Sequence, residues 1–231
     1  MSISLIFTAY ALAQLLILAA LLGMRLRGPA PGWAVLAFVA AGLAYDNGVI
    51  AAGATLGDGE LLRALSWPRF ALHAAGTPLI MLAAWQIARA AQLDWTRSRR
   101  NFYLLVTLML AMSAWGVGMD LFGLEWQPAC HGDTLRYSTS APPSQACYPQ
   151  QQPLPPHGPP LPSIVTVLAC LGAGWSLWRQ RRWPWLLLAA LAMLIAAALP
   201  QARFGLLPGN GGEILLLAAL AGAGRRFSAA G

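Results

Sequence analysis

Apolar positions in this chain fall into long runs instead of the narrow one-sided stripes of a soluble helix. Most of the runs reach about 18 residues, near the length a helix needs to cross roughly 30 Å of hydrocarbon. They predict helices over residues 3–23, 32–55, 69–91, 102–123, 163–178, 184–201 and 206–224. The expected fold is therefore an all-α polytopic membrane protein, a bundle of about seven transmembrane helices forming one domain over residues 1–231. In the last of these, "FGLLPGNGGEILLLAALAGAG", the proline and glycines leave about a dozen regular residues, roughly 18 Å at 1.5 Å each. That helix is expected to be short or broken, with Pro208 to Gly212 bordering a hydrated cavity.

Arginine gives the expected orientation. Arg25, Arg27, Arg89, Arg97, Arg99, Arg100, Arg179, Arg181, Arg182, Arg225 and Arg226 fall on one side of the predicted helices, eleven against four on the other. The basic side is cytoplasmic, so the amino terminus is expected outside and the carboxyl terminus in the cytoplasm of a cell membrane, with a bacterial inner membrane the expected setting. The first apolar run has its arginines after it, the reverse of a cleaved signal peptide. Tryptophans near the predicted boundaries, such as Trp33, Trp67, Trp126 and Trp183, fit interfacial belts.

Composition then removes whole classes of function. The net charge of +7 is scattered over connections, not gathered on a folded polar surface, so no nucleic-acid partner is expected. All fifteen basic residues are arginine. Without a lysine there is no retinal Schiff base. Phosphate loops, dinucleotide fingerprints and nucleophile elbows are also missing from the sequence, which assigns no cofactor.

The one long connection, residues 124–162, holds ten of the seventeen prolines and is expected to be external and extended. Cys130 and Cys147 lie in it, and in an oxidising compartment they are expected to pair. Cys170 remains as a small buried apolar side chain. His131 and His157 match no zinc spacing.

Candidate chemistry is concentrated at the expected outer ends of the helices. "WPRFALHAAGTP" sets Arg69, His73 and Thr77 four residues apart on one face, and Asp46 with Asn47 lies in the outer half of the second helix. Asp120, Arg203 and Glu213 come out at the same level. Tyr10 and Gln14 are further hydrogen-bonding candidates, and Pro78 is expected to kink the third helix and free a carbonyl. Charged groups at membrane depth face the bundle interior and find partners, so one reading is an ion-pair network that fixes helix register.

The alternative is a site. In it Asp46, His73 and Glu213 are the catalytic acids and bases, while Arg69, Arg203, Asn47, Thr77 and Asp120 bind an anionic substrate. A variant has a hard cation held by Asp46, His73, Asp120 or Glu213. The expected partner is a membrane lipid or lipophilic small molecule. The functions in play are a hydrolase or transferase, a non-catalytic lipid-binding, receptor or complex-assembly subunit, and, more weakly, a transporter. For a transporter, polar residues at successive depths and internal repeats are lacking.

Overall fold

A computed structural model describes residues 2–28, 30–123, 125–152 and 160–228. Seven long helices follow the apolar runs: α1 (Ile3–Arg27), α2 (Trp33–Leu56), α3 (Glu60–Ala90), α4 (Arg99–Val117), α5 (Leu161–Arg181), α6 (Trp185–Ala198) and, after the single turn α7 (Gln201–Phe204), α8 (Leu207–Phe227). Five of them, α1 to α5, are long and apolar enough to cross a membrane, α4 together with the π-helical turn Gly118–Gly123 that extends it. α3 and α8 are central: α3 packs on α2, α4, α5 and α8, and α8 packs on α6, α1, α2 and α3.

The buried core is built from Leu36, Ile87, Leu177, Leu217 and Leu220 together with many alanines. Large apolar side chains also cover the outside, with Leu26, Leu16 and Phe122 at 88%, 72% and 81% exposure. An aqueous surface avoids this, whereas hydrocarbon requires it. Small residues let helix backbones approach closely. A Cβ on Gly174 would lie 2.6 Å from the Leu187 amide nitrogen, and one on Gly116 3.1 Å from the Ala74 carbonyl oxygen.

Three expectations change, and proline is involved in each. α3 begins at Glu60, not at residue 69, and runs through Pro68 and Pro78. Proline removes an amide donor and splays nearby carbonyls, which a neighbouring helix can satisfy. Tyr45 Oη donates to the Leu65 carbonyl at 2.9 Å, three residues before Pro68, and Ser113 Oγ donates to the Ala75 carbonyl at 3.2 Å, three before Pro78. The Ala75 carbonyl beside the second proline is thus met by α4.

α8 is a continuous helix of 21 residues, about 31 Å long at 1.5 Å per residue. Pro208 sits in its first turn, where the missing donor costs little. Gly212 is a packing position: a Cβ there would come 2.7 Å from Met193 Sδ. The short helix is α6, with 14 residues, about 21 Å.

The third change is in the long connection. Residues 127–148 fold into an antiparallel hairpin, β1 (Gln127–His131) and β2 (Thr134–Ser138), followed by a 3-10 turn (Pro143–Gln145). Cys130 and Cys147 are disulfide-bonded, and Cys170 is free and buried. The two-residue turn Gly132–Asp133, with Gly132 at φ 58°, is a hairpin signal that the surrounding prolines obscure. The proline-richest stretch, including His157, lies outside the described residues.

Candidate functional site

The hairpin and the turn after it close one end of the bundle by holding the start of α1 and two connections. Asp133 in its turn accepts from the Ser2 hydroxyl and from the amides of Ile3 and Ser4, at 2.7 and 3.2 Å. These are the donors that the start of a helix leaves unsatisfied. The Ser2 hydroxyl foremost, with those amides, pulls the Asp133 carboxyl down to about 2. Asp58, between α2 and α3, accepts from Tyr137 Oη and Tyr148 Oη, each at 2.8 Å. Burial, reinforced by that carboxylate, pushes the Tyr137 phenol up to about 12. Gln145 Nε2 reaches the Gln201 carbonyl of α7 at 2.7 Å.

Under the hairpin lies an ion pair. Arg69 Nε donates to Asp46 Oδ1 at 2.7 Å, with the two side chains only 5% and 14% exposed. Arg69 Nη1 also lies 3.5 Å from the Tyr137 carbonyl oxygen, so the pair from α2 and α3 is tied to β2. Next to it is a second cation, Arg136 of β2, which is 3% exposed and interacts electrostatically with both Arg69 and Asp46. Its Nη2 donates to Gln145 Oε1 at 3.0 Å, and among the described residues it has no carboxylate partner. Burial lowers its pKa to about 10, which leaves it charged at neutral pH.

Asp46, Arg69, His73 and Thr77 share a narrow crevice whose other walls include Phe38, Leu43 and Leu72. Its volume of about 10 Å³ is room for about one water molecule. Glu213, at the inner side of α8, interacts electrostatically with His73 and Asp46. Among the described residues, neither His73 nor Glu213 has a hydrogen-bond partner.

Asn47 faces elsewhere, into a buried chain of amides. Its Nδ2 donates to Gln14 Oε1 and its Oδ1 accepts from Asn210 Nδ2, both at 2.9 Å, which links α1, α2 and α8. Gln14 Nε2 is buried without a partner among the described residues. Tyr10 Oη donates to the Leu207 carbonyl at 3.3 Å.

The sequence-derived candidates therefore separate into groups. Asp46, Arg69, His73 and Thr77 share the crevice, Glu213 interacts electrostatically with two of them from α8, and Asn47 belongs to the adjoining amide chain. Arg203 is exposed on α7, with its guanidinium 5.1 Å from the ring of Phe204, outside the cluster. Asp120 is in the π-helical turn after α4, where its carbonyl accepts from Trp126 Nε1 at 3.0 Å. Arg136 is the residue that the linear reading overlooks. It lies in β2 between Leu135 and Tyr137, which pack on an apolar cluster of α2 and α3, a placement legible only once the hairpin is recognised.

Among the described residues, no three His, Cys, Asp or Glu side chains are grouped so as to hold a metal ion, and the hard-cation variant thus finds no ligand set. Compared with known protein families, characterised proteins and solved structures, the chain matches none.

Proposed function

We propose that this chain is a multi-pass membrane protein whose hairpin-capped cluster binds the anionic headgroup of a lipid or other amphiphile and acts on it as a hydrolase or transferase. The observation that carries the reading is Arg136, a buried cation without a carboxylate partner among the described residues, beside an Arg69 that Asp46 already neutralises. Leaving a cation buried and uncompensated is costly, and a bound anion removes that cost.

In this reading Asp46 positions Arg69 and is not a base, because the ion pair occupies its carboxylate. Proton transfer falls to His73 and Glu213, which interact electrostatically and have no hydrogen-bond partners among the described residues. Thr77 lines the substrate side, and Asn47 fixes α2 through the amide chain.

A second reading, a non-catalytic lipid-binding or assembly subunit, is supported by the narrowness of the crevice, which admits little more than water. The topology that accompanies either reading has seven crossings, with the hairpin outside and the arginine-rich ends in the cytoplasm.

Lipids co-purifying with the protein test the site directly. The expected result is an anionic lipid retained by the intact protein and depleted in Arg136→Gln. Conversion of that lipid by the intact protein and not by His73→Gln supports the enzyme, and retention without conversion supports the subunit.

A further inference from the structure

The end of the bundle away from the hairpin carries its own cavity, of about 660 Å³, between the last turns of α3 and the first turns of α4. Three arginines line it, Arg89, Arg97 and Arg99, together with Trp85, Phe102 and Tyr103. Among the described residues, Arg89 and Arg99 form no ion pair and no hydrogen bond, and Arg97 has only an exposed contact with Asp94 at 3.7 Å. Arg181 shows by contrast what a structural arginine at this end does. Its Nε donates to the Ala91 carbonyl at 2.6 Å and its Nη2 to that of Gln92 at 3.4 Å, covering the end of α3.

We propose that this cavity binds the phosphate of an anionic phospholipid headgroup. Guanidinium groups suit phosphate oxygens because they present several donors in one plane. Ser98, the N-cap of α4, lies in the same lining, so the positive end of that helix adds to the field. The aromatic side decides between sources. Trp85 meets Trp95 edge to face and Phe102 at a tilt, and Phe102 is tilted against Tyr103, at ring separations of 4.9, 5.6 and 5.9 Å. Tyr103 and the following Leu104 are 65% and 58% exposed on the outside of α4. A free phosphate has no use for this wall, whereas a lipid whose headgroup enters between the arginines can lay its glycerol and first acyl carbons along it. The site is at the opposite end from the hairpin and stands independently of the function proposed there.

The test is native mass spectrometry of the full chain in mild detergent, titrated with phosphatidylglycerol, phosphatidylcholine or soluble glycerol phosphate. Phosphatidylglycerol is expected to bind at least about tenfold more tightly than phosphatidylcholine, and R89Q/R99Q to weaken it by about tenfold or more. The control R225Q/R226Q removes the same charge from the end of α8, outside the cavity lining, and is expected to stay within about twofold of the unaltered protein. Both double variants alter exposed side chains, and size-exclusion profiles check their folding. Unchanged binding by R89Q/R99Q overturns the proposal, as does an equal loss in the control, which reduces the effect to diffuse charge. Competition by glycerol phosphate as strong as that of the lipid overturns the lipid source and reassigns the cavity to a soluble phosphate.

Discussion

Asp133 and Ile3, 130 residues apart in sequence, are joined by a 2.7 Å hydrogen bond from the Ile3 amide to Asp133 Oδ1. The tip of the hairpin thus completes the cap of α1: Ser2, the N-cap, accepts from the Leu5 amide, and Asp133 takes the amides of Ile3 and Ser4. Because the folded carboxyl titrates at about 2, below its ordinary 3.8, its stabilisation is fully present above the ordinary value and is lost as pH falls toward 2. Asp133→Ala is expected to lower the melting temperature at pH 7, with the gap to the unaltered protein closing as pH drops from about 4 to 2. A gap independent of pH contradicts the cap.

The disulfide is tested by counting thiols. Labelling of the unfolded, unreduced protein is expected to modify Cys170 alone, with two further sites after reduction. Closing a loop of this size is worth about 3 kcal/mol in the chain-entropy model, so Cys130→Ser with Cys147→Ser should melt measurably earlier. Three reactive thiols before reduction rule the bond out.

One glycine sets how closely the hairpin can seat on α2. A Cβ on Gly53 of α2 would overlap the Leu135 carbonyl of β2, and neither backbone can yield without moving the hairpin. Gly53→Ala is expected to cost about 1–3 kcal/mol and to expose the Arg136–Tyr137 bond to trypsin. Cleavage no faster than in the unaltered protein means that the hairpin is not seated there.

Orientation is read from reporter fusions. A reporter after Arg226 is expected in the cytoplasm and one inserted near Ser144 outside. A cytoplasmic Ser144 insertion inverts the placement of both sites.

How far the sequence discloses this molecule depends on the range of the interaction involved. Helix positions were legible because apolar run length is a local property. Pro68 and Pro208 misled for a shared reason: their local reading is a break. Tyr45 of another helix satisfies the carbonyl near Pro68, and Pro208 falls in the first turn, where no donor is needed. Arg69, His73, Thr77 and Asp46 could be grouped by depth. Arg203 and Arg136 could not be told apart in that way, since both lie in connections at the same end of the bundle and only the hairpin's fold decides which one is buried.

The central claim is that the Arg136 charge is there for an anionic ligand and not to hold the fold. The most direct measurement is paired: quantification of co-purified anionic lipid per protein, and melting temperature in the same detergent, for the unaltered chain, Arg136→Gln and Asp46→Asn. Asp46→Asn leaves Arg69 buried without compensation and is expected to destabilise the fold by about 3–5 kcal/mol. Arg136→Gln removes a buried cation that has no carboxylate partner among the described residues, so the account predicts an unchanged or higher melting temperature together with loss of most of the bound anionic lipid. Retention of the lipid by Arg136→Gln, with a melting temperature that falls as far as that of Asp46→Asn, contradicts it and makes the cluster a scaffold.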